Sequence, residues 1–406
     1  MFSEPIIALT LVALLVYALA ADWIDRSPLS GPMIFTGFGL LIGPLGFGLV
    51  DPVAGDAVFV LATATLVIIL FRDAANIRLR RKVDQRETVN LTLRLLLAGI
   101  PLTIALGTAF GFALFPSLSF LDAVILAIVL TPTDAALAQP VFANRTMPEP
   151  EREALDAESG LNDGLCLPLL LIALDLSTLE GAGQHWLDHV GLFAGHIILG
   201  PLAGVVIGAG GAFMARHAFA WKIARPNSRT PLMVILAGLA YVGAELIGGN
   251  GFLAAFTAGL GFGIVLPRPM VQAASNFAQT EGTILTSLTF VLFGAAFLPA
   301  AAGSDLFWPA ILFAALALTV MRMLPVYLVL EGTPVSPVHR LVLGWFGPRG
   351  IASILYLLVI ADKAGYAPLE DIKAIAVWAI GLSILLHGVT APLIARFYPA
   401  VNGGKP

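Results

Sequence analysis

The sequence has 406 residues, of which 58% are hydrophobic and 12% charged, with a formal net charge of −4. Its mean hydropathy is +0.91, and a soluble domain of this size carries roughly twice that charged fraction. The balance excludes a soluble globular domain, and the net charge says little about partners because most of the chain is not in water. Apolar runs recur along the whole length, each long enough to cross a hydrocarbon core of ~30 Å. The single cysteine, Cys166, lies inside one of them, so there is no disulfide framework and no Cys-based metal site.

In chain order, the first apolar segment, Pro5 to Ala21, lacks a basic start and is followed by Asp22 and Asp25. It reads as a first span rather than a removed signal peptide. Hydropathy places spans near 4–22, 29–50, 55–72, 88–115, 119–142, 153–175, 189–215, 230–247, 251–266, 276–300, 306–330, 342–361 and 370–397. The expectation is an all-α polytopic membrane protein of about 13 transmembrane helices, a single transporter unit over 1–398 with a short cytoplasmic tail at 399–406.

Charge placement orients these spans. Odd-numbered connections contain "FRDAANIRLRRKVDQR", "NRTMPEPER", "RHAFAWKIARPNSR", "LPRP" and "GTPVSPVHR"; in the even set only Lys363 and Lys373 are cationic. Positive residues stay on the cytoplasmic side, which puts the N-terminus outside and the C-terminus inside the cell membrane. An odd span count also divides as six, one and six, giving two inverted six-helix repeats in which span 5 matches span 12. Both carry helix-breaking stretches, "VLTPTDAALAQPVF" at 129–142 and "LGWFGPRGIASILY" at 343–356. Paired broken helices point to a midplane binding site. The first break holds an acid, Asp134, and the second a base, Arg349, suited to the exposed dipole ends of half-helices.

The chemistry concentrates at "ESGLNDGLCLPLLLIAL", 158–174. On a helix, Glu158 and Asn162 share one stripe, and Ser159 and Asp163 the adjacent one. A hard monovalent cation needs several oxygens, which Asp163, the Ser159 hydroxyl and the Thr133 carbonyl and side chain can supply. The set is too small for tight divalent binding and lacks the His or Cys of a zinc site. Desolvation raises the affinity of a carboxylate for a proton and a bound cation lowers it again, so Asp163 holds one or the other. That competition is sufficient for electroneutral exchange of one cation against one proton. Arg349 reads as the only base deep in a span. A Glu158–Arg349 ion pair is therefore expected, with Asn162 in the same structural network, and breaking such a pair costs roughly 3–5 kcal/mol.

"TPTDAA", "ESGLNDG" and "FGPRGIAS", in that order, resemble the motif set of the sodium/proton exchangers in the cation:proton antiporter superfamily. More narrowly they resemble its electroneutral NhaP-like branch, which has Asn-Asp on span 6. The resemblance covers the whole transmembrane chain. It implies a core domain, a dimerisation domain and a homodimer, elevator-like alternating access, and ion binding at Asp163 with Ser159, Thr133 and a third-span acid. Asp73 in "ILFRDAANI" is the positional candidate for that acid, with Arg72 beside it. One departure is that the family commonly has Thr-Asp-Pro in span 5, whereas this chain has Pro132 ahead of Thr133 and Asp134.

The leading expectation is thus a secondary Na+ or K+/H+ antiporter in pH homeostasis, not an enzyme, with no cofactor and no nucleic-acid partner. The alternative is a sodium-coupled symporter of an organic anion, which needs more cationic lining than Arg349 offers. An intramembrane aspartyl protease using Asp134 and Asp163 fits the Thr-Pro-Thr-Asp break poorly, and a passive channel lacks a pore ring. His387 reads as a packed side chain within span 13, and "GVVIGAGGAF" in span 7 as small-residue packing, within the fold or at a dimer contact.

Overall fold

The computed structural model describes residues 4–24, 27, 29–49, 56–77, 86–134, 137, 147–181, 190–361 and 369–401. The basic run at 78–82, His185, His189, Lys363 and the end of the tail lie outside them. All regular structure among the described residues is helical. In chain order it comprises α1 (Glu4–Leu19), α2 (Ala21–Ile24), α3 (Gly31–Ile42), α4 (Asp56–Asn76), α5 (Arg86–Arg94) and α6 (Ile100–Leu114). Then come α7 (Phe120–Val129), α8 (Glu149–Gly181), α9 (Val190–Ala220), α10 (Leu232–Glu245), α11 (Gly251–Val265) and α12 (Arg268–Leu292). The last are α13 (Leu298–Ala302), α14 (Phe307–Leu318), α15 (Val320–Val329), α16 (Pro337–Trp345), α17 (Ile351–Ala361) and α18 (Leu369–Val401). Single π-helical turns, Leu95–Gly99 and Phe293–Phe297, join α5 to α6 and α12 to α13.

Local chemistry fixes the helix starts. Ser119 and Asp122 form a reciprocal capping box on α7, so Asp122 satisfies a backbone N–H as well as the positive helix end. Asn250 caps α11 by accepting the Leu253 N–H, and Ser336 caps α16 by accepting the His339 N–H. Among the described residues, six helical stretches are long and apolar enough to cross a membrane: Arg86–Leu114, Glu149–Ser177, Ile198–Ala220, Arg268–Ala302, Phe307–Val329 and Glu370–Ile394. Large apolar side chains such as Leu19, Phe47 and Trp308 are exposed. That is the surface of a multi-pass membrane protein, whose backbone satisfies itself within helices and leaves its apolar side chains to lipid.

The chain forms two compact units. One comprises Met1–Phe59, Val83–Asn162 and Thr286–Pro406, the other Val60–Lys82 and Asp163–Leu285. In the first, Leu91, Leu155, Val326, Leu330, Leu343 and Phe346 form a buried cluster that ties α5, α8, α15 and α16 together. Arg94 closes the C-terminal end of α15 by donating to the carbonyls of Val329 and Glu331 at 2.9 Å each. In the second unit, α9 lies against α11 at backbone distance. A Cβ at Gly204 would strike the Ala254 carbonyl, and one at Gly208 the Ala258 carbonyl. In lipid, where apolar burial drives little association, such close approach supplies the packing energy. The small residues of span 7 therefore serve contacts within this unit. Phe71 of α4 meets Phe262 of α11 with ring centroids 5.4 Å apart.

Candidate functional site: two interrupted helices and a polar stripe

The first unit contains two helix interruptions. The chain leaves α7 after Val129, and residues 346–350 separate α16 from α17. Proline contributes to both. Pro132 and Pro348 have no N–H to continue a helix, and each disfavours helical geometry at the residue before it.

The two breaks complete each other's hydrogen bonding. The Asp134 N–H donates to the Pro348 carbonyl at 2.8 Å, and the Ile351 N–H donates to Asp134 Oδ2 at 3.0 Å. From the opposite direction, Arg349 Nη1 donates to the Thr131 carbonyl at 2.9 Å and reaches the Pro132 carbonyl at 3.4 Å. Ser353 Oγ donates to the Val129 carbonyl at 2.7 Å. The acid of the first break thus sits at the positive start of α17, and the base of the second at the negative end of α7. Asp134, Arg349 and Ser353 are all buried, where unmatched helix ends would each be costly. Gly350 makes this approach possible, because a Cβ there would overlap the Asp134 carboxylate.

A third element caps the end of α16. His387 Nε2 lies 2.8 Å from the Trp345 carbonyl, and its Nδ1 lies 3.2 Å from Ser383 Oγ. Ser383 Oγ also accepts the Arg349 N–H at 2.6 Å. The Nε2–H donates to the Trp345 carbonyl, and Nδ1 faces both Ser383 Oγ and, at 3.1 Å, the Ser383 carbonyl.

Helix α8 brings its polar stripes to the first break. Ser159 Oγ donates to the Thr133 carbonyl at 2.7 Å, and Asn162 Nδ2 donates to Thr133 Oγ1 at 2.7 Å. Asn162 is fully buried, and its Oδ1 has no hydrogen-bond partner among the described residues. At the start of α8, Glu151 meets His339 of α16 at 2.8 Å.

The expected Glu158–Arg349 pair is not formed. Glu158 instead takes a two-pronged ion pair from Arg322 of α15, with Nη1–Oε1 at 2.6 Å and Nη2–Oε2 at 2.7 Å. Both side chains are buried, at 1% and 2% exposure. Arg349 is consequently not the only base deep in a span. Its position inside the break makes freed carbonyls its acceptors, whereas Arg322 on a regular helix can aim its planar fork at a carboxylate. A Cβ at Gly347 would overlap Arg322 Nε, so the second break also makes room for this guanidinium.

The structure therefore brings Thr133, Asp134, Glu158, Ser159, Asn162 and Arg349 together in one unit. Asp163 is the first residue of the other unit; it is buried on α8, one helical turn beyond Ser159. Asp73 also belongs to that other unit, half-buried near the end of α4, where it pairs with Arg72 at 2.6 Å. Sequence reading missed Arg322, Ser353 and Ser383. The signal for Arg322 was a lone cation within an apolar run, which in lipid demands a partner.

Buried helix ends matched across two breaks, beside a polar stripe, sit within a polytopic helical membrane protein. The chain belongs to the sodium/hydrogen exchanger family, whose transmembrane model matches residues 10–396. It is 27% identical to a Na+/H+ antiporter of Zygosaccharomyces rouxii over 91% of this chain, and it spans about half, 50%, of that relative's length. Its identity to a Na+/H+ antiporter of Schizosaccharomyces pombe is 29%, over 83% of this chain and 74% of the relative. The fold is similar to that of the sodium proton antiporter MjNhaP1 from Methanocaldococcus jannaschii, with a TM-score of 0.75 over 95% of this chain and 98% of that one, at 21% identity.

Proposed function

We propose that this chain is a secondary monovalent cation/proton antiporter in which Asp163 is the shared carboxylate, loading either a proton or a cation on each side of the membrane. Family membership supports the reading, and one structural observation carries it. The Thr133 carbonyl, freed by the helix break, is held by Ser159 on the same helix that presents Asp163 one turn later. A cation approaching that stretch meets oxygens in place of its hydration shell: the Thr133 carbonyl and hydroxyl, Ser159 Oγ and the Asn162 carbonyl oxygen. Asp134 and Arg349 are committed to the helix ends and Glu158 to Arg322, so these charges serve structure. One titrating carboxylate then gives electroneutral exchange of one cation for one proton. In this reading the transported ion is Na+ or K+, and the protein works as a homodimer in the cell membrane with its N-terminus outside. About 13 spans in inverted repeats would carry the alternation of access. An organic anion fares worse as substrate, because Arg322 and Arg349 already have acceptors.

The test is transport in proteoliposomes with an internal pH dye, a preset pH gradient and a clamped membrane potential. Sodium or potassium should dissipate the gradient for the wild type and not for Asp163→Asn, at a rate independent of potential. If neither cation, nor lithium, moves protons between about pH 5 and 9, a window that brackets a desolvated carboxylate, the antiporter reading fails and organic-anion uptake is the next assay.

A further inference from the structure

Helix α9 ends in a turn that calls for glycine and contains lysine. The Ile223 N–H donates to the Ala218 carbonyl at 2.9 Å and the Lys222 N–H to the Phe219 carbonyl at 3.2 Å. This is the Schellman closure, whose left-handed residue is usually glycine. Here that residue is Lys222, at φ 58°, the one non-glycine with positive φ among the described residues. A lysine in that conformation is strained.

Trp221 and Ile223 flank Lys222, and each is 72% exposed. Arg216, Lys222 and Arg225 are exposed cations without an ion pair among the described residues. Arg229 folds back over the Phe219 ring at 4.8 Å, and its Nε has no hydrogen-bond partner among the described residues. No acidic residue occurs in the sequence between Asp188 and Glu245, so the segment carries no counter-charge of its own. The turn directly follows a stretch, Ile198–Ala220, that is long and apolar enough to cross the membrane. A tryptophan at such an end belongs at the headgroup level.

We propose that the turn closing α9 is a binding site for an anionic phospholipid. Arg216, Lys222 and Arg225 hold the headgroup phosphate while Trp221 and Ile223 enter the acyl-chain boundary. The cations match the charge of the headgroup, and the paired exposed apolar residues select a lipid over a soluble phosphate.

The experiment uses the full chain in vesicles whose minor lipid is either dibrominated phosphatidylglycerol or dibrominated phosphatidylcholine. Quenching of Trp221 is taken as the difference from Trp221→Phe, since the chain has six tryptophans. Phosphatidylglycerol should quench Trp221 preferentially. Each basic residue near an anionic surface favours it by roughly fivefold, so Arg225→Gln should cut the preference by a few-fold, and higher salt should cut it further. Lys222→Gly should lose preference to the same extent while melting no lower than wild type, because it relieves the strained turn. A purely structural Lys222 predicts unchanged quenching instead. Equal quenching by the two lipids in wild type would overturn the proposal. So would an undiminished preference in Arg216→Gln/Arg225→Gln, or one abolished by millimolar glycerol phosphate, which would mark a small-anion site.

Discussion

Removing one member of the Glu158–Arg322 pair is the most informative structural perturbation. Both side chains are almost fully buried and joined by two short hydrogen bonds. Arg322→Met leaves the Glu158 carboxylate in an apolar surrounding, and Glu158→Met leaves the guanidinium likewise. Each single substitution should therefore cost roughly 3–5 kcal/mol. The double substitution removes both charges and fills the site with apolar volume, so it should cost less than either single change. That corresponds to a coupling of about 3 kcal/mol or more in a double-mutant cycle. The assay is unfolding by SDS titration in mixed micelles, followed by helicity. The same cycle between Glu158 and Arg349 should be additive to within about 1 kcal/mol, because Arg349 is bonded to the Thr131 carbonyl instead. A Glu158/Arg322 coupling under about 1 kcal/mol, or a larger one for Glu158/Arg349, would refute the assignment of partners.

Three further outcomes follow from the crossing and from α4. Gly350→Ala forces a methyl group into the Asp134 carboxylate, and should lower stability by about 1–3 kcal/mol or more in the same titration. Asp134→Ala should cost about 1–3 kcal/mol by stranding the buried Ile351 N–H, whereas Asp134→Asn keeps an acceptor and should recover most of that loss; equal losses would mean that charge, not the acceptor, matters there. If Asp73 lies on the ion path, Arg72→Gln removes a tethered competitor for its carboxylate. It should then lower the KM for the transported cation by up to about fivefold, the worth of a half-exposed pair, and an unchanged KM would leave Asp73 as a helix-end acid.

Much of the architecture was written in local sequence. Apolar runs and the charge asymmetry of the loops mark a polytopic helical chain. Pro132 and Pro348 mark places where helices stop, but Pro168, Pro201 and Pro325 lie inside α8, α9 and α15, so proline alone does not dictate a break. The i, i+4 stripes of α8 were legible, since helical periodicity is local. Partner choice among buried charges was not. The sequence points Glu158 to Arg349 alone, and only the packing of α15 against the second break selects Arg322. The cross-capping by Ser353 and Ser383 was equally hidden, because a serine in an apolar helix looks the same whether it bonds its own helix or another's carbonyl. The π-helical turns at Leu95–Gly99 and Phe293–Phe297 leave only weak traces, a glycine and a nearby proline in each.

The most direct test of the central claim is the number of protons released when the cation binds. Calorimetry on the detergent-solubilised protein, repeated in buffers of different ionisation enthalpy, gives that number without any transport step. If cation and proton compete for Asp163, sodium or potassium binding near the pKa of the site should release a fraction of a proton that rises toward about one as the pH falls. Asp163→Asn should neither bind the cation measurably nor release protons. Cation binding by wild type with no proton release at any pH, or undiminished release in Asp163→Asn, would contradict the shared-carboxylate account.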